Sequence, residues 1–153
     1  MMKKYEEALS DFEKILEYLN SKQNDLYVQC IGYRGAINFK LRSFKQSRSD
    51  LEDAINLNQK ESYWHCQLGA LLYEQGDYNT SLKELNYAIS LFQASKDKSQ
   101  PQKNKFQRIL MSETYHYRGL LYKAIDKFQL ANTDFEKSKE LNLDHEIPNF
   151  IIA

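Results

Sequence analysis

The sequence contains few of the residues that interrupt helices, with 2 prolines and 5 glycines in 153 residues. Proline removes a backbone donor and blocks the interior of a helix, and glycine costs about 1 kcal/mol there relative to alanine. Pro101 and Pro148 both lie outside the segments with helical periodicity. These scarcities favour a nearly all-helical chain without strands.

Cysteine, net charge and long apolar runs are also scarce. Cys30 and Cys66 are the only cysteines, and no apolar run follows the N-terminus. We therefore expect neither a disulfide framework nor a secretory signal. A cytoplasmic location is expected instead. The 21 basic and 21 acidic residues cancel, which argues against a general binder of nucleic acid or anionic membranes. No stretch approaches the roughly eighteen apolar residues that span a bilayer.

Apolar residues are abundant and periodic. They make up 42% of the chain, with 13% aromatic residues, which is too rich for intrinsic disorder. They recur at the three-four spacing of amphipathic helices. This periodicity predicts helices over 4–19, 26–40, 44–57, 62–75, 78–95, 106–125 and 128–141.

Three glycines mark an internal repeat. Gly35 and Gly69 are 34 residues apart, and Gly119 follows 50 residues later, which is one period plus sixteen inserted residues. Nine residues after each glycine comes an aromatic residue, and nineteen after it a small one. These residues are Phe44, Tyr78 and Phe128, and Ala54, Ala88 and Ser138. A period of 34 indicates a solenoid of helix pairs.

The segment 65–78 carries the clearest family signature, with Leu68-Gly69 in the first helix and a turn at Gly76-Asp77. It resembles the tetratricopeptide repeat (TPR) family, and the resemblance covers nearly the whole chain. It implies an all-α fold, a right-handed α-solenoid of antiparallel helix pairs. We expect one array over 1–153, with an orphan second helix at 4–20, repeats at 28–58, 62–95 and 106–142, an inserted loop at 96–105, and a tail or the start of a further helix at 143–153.

Three residues depart from the family's pattern. Asn38 occupies a position that is usually aromatic, and Ser47 and Ser81 occupy positions that are usually alanine. These departures weaken single repeats without interrupting the array.

The orphan second helix at 4–20 has no first helix before it. A repeat cut in half leaves an apolar face uncovered. Two interpretations stay open: the chain is a segment of a longer solenoid, or another chain covers this face. Other subunits or neighbouring repeats at such exposed ends would then be partners.

Arginine precedes the glycine in two repeats and demands a partner if it is buried. Sixteen residues later the second helices supply Asp50 for Arg34 and Asp134 for Arg118. A two-pronged contact between guanidinium and carboxylate would satisfy both groups. The alternative is that the arginines bind a ligand. Asp11 takes the same position in the half repeat and would lack its arginine.

The resemblance implies that the first helix of each pair lines a concave groove that receives a partner's peptide or helix. The residues expected on this surface are Gln29, Tyr33, Ala36, Phe39, Tyr63, Gln67, Tyr73, Glu113 and Tyr117. Such a groove is aromatic and suits an apolar face or an extended segment. The alternative for each tyrosine is packing between neighbouring repeats.

The best-known members of the family grip a C-terminal carboxylate with lysine, arginine and asparagine. The corresponding positions here hold Gly32, Ala36, Gln67, Glu113 and Tyr117. None of these is a cation, and Glu113 would repel a carboxylate. We therefore expect a different class of partner.

Residues for chemistry are sparse. The histidines and cysteines form no pair at zinc-site spacing, and no phosphate loop or nucleophile motif occurs. We therefore expect no enzyme, metal or cofactor.

These patterns together predict a non-enzymatic protein-protein interaction scaffold within a larger assembly. The alternative is a helical repeat that binds nucleic acid through the basic loop after Ser95, with Lys96, Lys98 and Lys103. A composition rich in Asn, Gln and Tyr adds a ciliary or cytoskeletal setting as a further hypothesis.

Overall fold

The computed structural model describes residues 2–19, 24–94 and 105–142. In these ranges the chain forms α-helices and no strands, so the predicted all-α class is confirmed there. The helices are α1 (Met2–Tyr18), α2 (Asp25–Lys40), α3 (Phe44–Leu57), α4 (Ser62–Glu74), α5 (Tyr78–Ala94), α6 (Lys105–Ala124) and α7 (Phe128–Asn142). Every helix end lies within two residues of its predicted position. The tail at 143–153 and the inserted loop, apart from Lys105, lie outside the described residues.

The helices after α1 form three antiparallel hairpins, α2–α3, α4–α5 and α6–α7. Each first helix ends in the same turn, with a residue of positive φ: Arg42 at 61°, Gly76 at 79° and Asp126 at 59°. In each case the next residue donates its N–H to a carbonyl five positions back, as Asp77 does to Leu72 at 2.9 Å. This is the Schellman geometry that closes a helix C-terminus. The division into repeats remains a prediction, but the hairpins share one turn.

The glycines that mark the repeat lie where the two helices of a hairpin approach closely. A Cβ added to Gly69 would lie 2.7 Å from Leu85 Cγ, and one added to Gly119 would lie 2.6 Å from Phe135 Cε1. Gly35 meets Leu51 in the same way, at 2.9 Å. A side chain at any of these positions would force the facing side chain or the hairpin itself to shift.

Two apolar clusters run through the stack. The first, around Leu51, Trp64 and Leu71, joins α2, α3 and α4. The second, around Cys66 and Met111, joins α4, α5 and α6. Because α4 contributes to both, the core is continuous from one hairpin to the next. This is the nearest-neighbour packing of a solenoid.

Helix α1 packs against α2 without burying any residue completely. Leu16 reaches the first apolar cluster. Asp11 keeps 74% of its side chain exposed, and Ile15 is 39% exposed. The corresponding residues of α3, Asp50 and Ala54, are buried against α2. One face of α1 is therefore open to solvent.

The stack curves toward the first helices. Helix α4 touches both α2 and α6, whereas α3, α5 and α7 do not touch one another within the described ranges. A layer whose elements lie closer together forms the inner side of a curved solenoid. The concave surface therefore consists of α2, α4 and α6, with α1 beside α2.

Candidate partner-binding groove

A row of four aromatic rings crosses the N-terminal half of the concave surface. Phe12 stacks on Tyr33 with ring centroids 6.0 Å apart, Tyr33 lies 5.8 Å from Tyr63, and Tyr63 lies 5.6 Å from Phe106. These residues come from α1, α2, α4 and α6, so the row links every helix of the inner layer. Tyr33 is 40% exposed and Phe106 is 49% exposed. The row therefore presents aromatic surface that another molecule can contact.

A second, shorter row lies toward the C-terminal ends of α4 and α6. The Tyr73 ring lies 6.2 Å from Tyr117 and 5.8 Å from Tyr78. Tyr73 and Tyr117 are half-buried. Both rows therefore carry ring surface that is packed on one side and open on the other.

Two polar residues lie between the rows. Gln67 follows Tyr63 by one helical turn on α4, and Glu113 precedes Tyr117 by one turn on α6, so each shares a helix face with a tyrosine. Gln67 is 3% exposed, and its Oε1 has no hydrogen-bond partner among the described residues. Burial raises the pKa of Glu113, and the charge of Lys40 partly opposes this effect.

Tyr63, Tyr117 and Cys66 remain protonated at neutral pH. Burial raises the pKa of Tyr117 to about 12 and also raises the pKa of Tyr63, and the negative charge of Glu113 raises both. Burial likewise raises the pKa of the Cys66 thiol to about 12. Thiolate chemistry is thereby disfavoured at Cys66.

The structure places most of the predicted groove residues on one surface. Gln29 is exposed on α2, and the four tyrosines of the list and Glu113 occupy the two rows and the space between them. Ala36, Phe39 and Gln67 differ, because they are 5%, 7% and 3% exposed, and Phe39 packs in the core against Phe44. Their side chains therefore shape the groove from beneath rather than offering a contact surface.

The two predicted arginine–aspartate pairs have bidentate geometry. Arg34 donates through Nε and Nη2 to the two carboxylate oxygens of Asp50 at 2.8 and 2.7 Å. Arg118 donates to Asp134 in the same way at 2.7 and 2.8 Å. A third donor of Arg118, Nη1, binds Asn86 Oδ1 on α5 at 2.7 Å. Each pair closes its hairpin, and Asn86 ties two hairpins together.

Sequence reasoning missed the equivalent contact in the middle hairpin. His65 Nδ1 lies 2.6 Å from Glu84 Oε2, and its Nε2 lies 3.0 Å from the carbonyl oxygen of Gln59. His65 precedes Leu68, the residue in the arginine position, by one helical turn. The signal was Glu84, which occupies the acidic position although its hairpin has no arginine. A search one turn away from Leu68 would have found the partner.

Other kinds of site receive no support in the described ranges. No group of three or more His, Cys, Asp or Glu residues there is arranged to hold a metal ion. None of the helices α1 to α7 is both long and apolar enough to cross a membrane.

Solved structures with this architecture place the chain in the class of TPR-like α-solenoids. Two crystal structures of MamA match 92% and 97% of this chain, over 70% and 69% of their own length, with TM-scores of 0.63 and 0.64 and identities of 18% and 16%. BtubC from P. vanneervenii matches 98% of this chain over 63% of its own, with a TM-score of 0.73 and 19% identity. Identities this low establish similarity of fold alone. No family model matches the chain, and no curated protein matches it significantly.

Proposed function

We propose that this chain is a non-enzymatic scaffold that binds a segment of another protein in the concave groove of α2, α4 and α6. The observation that carries the proposal is the aromatic row through Phe12, Tyr33, Tyr63 and Phe106, which remains partly exposed. Aromatic side chains offer a large contact area at little entropic cost, which makes them frequent hot spots in interfaces.

The groove supports a partner other than an acidic C-terminal tail. Among the positions that correspond to the family's carboxylate grip, Ala36 is buried and Gly32 packs against Trp64, where an added Cβ would lie 2.6 Å from the ring. Glu113 adds negative charge. A carboxylate bound there would lose its hydration without gaining a cationic partner.

Binding through the groove is tested by selecting peptides from a displayed random library on the purified protein. The affinity of selected peptides is then measured for Tyr33→Ala and Tyr117→Ala. If these tyrosines are hot spots, each substitution weakens binding by roughly 1 to 3 kcal/mol, or about 5- to 150-fold.

The matched control is Tyr87→Ala, because Tyr87 is 43% exposed, close to the 40% of Tyr33, but lies on the second helix α5. Circular dichroism verifies that all variants fold. Full binding by the folded Tyr33 and Tyr117 variants would contradict the proposal. The nucleic-acid alternative is tested separately by titrating RNA at several salt concentrations, and it predicts that Lys98→Ala and Lys103→Ala weaken RNA binding.

A further inference from the structure

We propose that the open face of α1 docks a helix of another protein, one that carries an arginine followed by a glycine, and that this arginine binds Asp11. The face is a different surface from the groove of α2, α4 and α6, so the inference goes beyond the proposed function. It rests on where α1 loses burial, on the charge found there, and on how the chain binds the equivalent acid in two of its hairpins.

The open face of α1 is the face that a second helix turns toward its first helix. Asp11 and Asp50 each lie five residues before an apolar side chain, Leu16 or Ile55, that packs against the first apolar cluster. The helices α1 and α3 therefore share one register. The acid's side chain is 4% exposed in α3 but 74% exposed in α1, and the residue four positions later is 0% exposed in α3 but 39% exposed in α1. Burial is thus lost where α3 meets α2.

The acid on this face lacks the partner that its equivalents have. Asp50 and Asp134 are each bound by an arginine of the facing helix. Within the described ranges Asp11 pairs with Lys14 of its own helix, at 3.9 Å and with both side chains exposed. Such a surface pair contributes little to stability. A helix that covers this face buries Asp11, and a buried carboxylate without a cation is strongly unfavourable. The covering helix must therefore bring a cation.

Arginine fits this acid better than lysine or histidine does. Arg34 and Arg118 each donate from two nitrogens to both carboxylate oxygens of an aspartate, at 2.7 to 2.8 Å. Lysine has no planar fork of donors and cannot form this contact. His65 binds the acid of the middle hairpin, but that acid is the longer Glu84. An aspartate at this position therefore calls for arginine.

The residue after the arginine must be small. In both arginine hairpins it is a glycine that packs on the residue after the acid. A Cβ added to Gly119 would lie 2.6 Å from Phe135 Cε1. On α1 the residue after the acid is also a phenylalanine, Phe12. A helix that brings its arginine to Asp11 brings its next residue onto this ring, where glycine permits the close approach.

The chain itself has no free helix of this kind. The pair Arg-Gly occurs twice among the 153 residues, as Arg34-Gly35 and Arg118-Gly119. Both arginines are bound inside their own hairpins, so neither this chain nor a second copy can offer one to Asp11 without opening a hairpin. The occupant therefore lies outside these residues, and a helix in another protein is the case that a free peptide tests directly.

The test uses a synthetic peptide with the sequence of α2, residues 25–40, because α2 covers the equivalent face of α3. A staple between the positions of Gln29 and Tyr33, both exposed on α2, keeps the peptide helical. Calorimetry with the full chain should show an affinity that falls about tenfold or more when neutral citrulline replaces Arg34 of the peptide, since a buried charge pair then loses one partner. Gly35→Leu in the peptide should also weaken binding.

Asp11→Asn in the protein should weaken binding and remove the difference between the arginine and citrulline peptides. The matched control is Asp53→Asn, because Asp53 is also exposed but lies on α3. It should leave both affinities unchanged. Tyr117→Ala in the groove should leave them unchanged as well, which separates this site from the proposed function.

A peptide that binds Asp11→Asn as tightly as the parent would overturn this inference and leave the proposed function standing. Self-association of the chain that Asp11→Asn abolishes would also overturn it, because a second copy would then be the occupant. A peptide that never binds in free form, even if its fusion ahead of α1 stabilises the protein, would overturn the assignment to another protein.

Discussion

The hairpins α2–α3 and α4–α5 perform the same structural tasks with different residues. In α2–α3 the buried acid Asp50 binds Arg34, whereas in α4–α5 the acid Glu84 binds His65. The basic residue has moved by one helical turn, and the longer side chain of glutamate accompanies that move. What recurs is therefore an acid on the second helix bonded to a basic side chain on the first, rather than one pair of residue types.

The matching serines of the two hairpins show the converse, because the residue type is the same but the hydrogen bonding differs. Ser81 donates its hydroxyl to the carbonyl oxygen of Gly69 at 2.7 Å. Ser47 is equally buried, but its Oγ has no partner among the described residues. Identical residues in matching positions thus have different energetic consequences. The repeat in the sequence therefore shows which residues occupy equivalent positions, but the local contacts decide how much each residue contributes to stability.

The largest effect on stability is expected when the acid–base contact that all three hairpins share is removed. Asp134→Ala leaves the largely buried guanidinium of Arg118 without its carboxylate, and we expect the free energy of unfolding to fall by roughly 1 to 3 kcal/mol. Urea denaturation measures the change. Asp11→Ala is the control, because Asp11 takes the same position in α1 but is 74% exposed there. Equal stability of the Asp134 variant and the parent would refute the structural role of the pair.

The next prediction sharpens the difference between the serines. Ser47→Ala removes a buried hydroxyl without a partner and should stabilise the protein by about 1 kcal/mol. Ser81→Ala removes a bonded hydroxyl and should destabilise it by a similar amount. Both free energies follow from the same urea titrations. Shifts of the same sign would show that the two sites are equivalent after all.

Effects of similar or smaller size are expected at the turns. Gly76 has φ 79° with nothing near an added Cβ, so Gly76→Ala should cost about 1 kcal/mol through backbone strain alone. Arg42 has φ 61° in the matching turn, so Arg42→Gly should stabilise the protein by about 0.5 kcal/mol. The gain is reduced because the substitution also removes a cation–π contact, in which the guanidinium carbon of Arg42 lies 4.7 Å from the centroid of the Phe44 ring. Thermal unfolding of both variants tests whether the turns respond with opposite signs.

The smallest effect concerns the acid that lacks a partner. Burial raises the folded-state pKa of Glu113, so the folded protein binds more protons there than the unfolded chain does, and this contribution to stability is lost as pH rises through the folded pKa. Glu113→Gln should therefore make the protein more stable at pH 7 while changing stability little at low pH. The effect is small because the carboxylate keeps part of its hydration. Urea titrations at several pH values measure it, and a destabilised variant at pH 7 would contradict the assignment.

Much of the architecture was predictable because it depends on local and periodic signals. Helix ends followed from apolar spacing, and Gly69 and Gly119 marked close approaches that only glycine permits. The separation of sixteen residues that joins Arg34 to Asp50 could be read directly, because both helices of a hairpin have regular geometry. Asn38 looked like a defect in the pattern, yet it is buried and lies within 3.5 Å of Asp50 as part of the same polar cluster.

The candidate site was less predictable, because it depends on contacts between hairpins. Helical register places Tyr33 and Phe39 on the first helix, but only the packing of α3 and α4 leaves Tyr33 exposed and buries Phe39. Register likewise cannot show that Gln67 lacks a donor, since that depends on every neighbour around it.

Helix positions, hairpin order and the repeat period follow from the amino-acid sequence, because each depends on interactions between residues close along the chain or at one recurring separation. The tertiary structure decided the rest: the partner of Glu84, the exposed face of α1, and the two unpaired acceptors, Gln67 and Glu113, between the aromatic rows. These features arise where three or more elements meet. Whether a side chain is buried, and whether its polar atoms find hydrogen-bond partners, depends on all the elements packed around it, so the sequence of a single helix does not specify it.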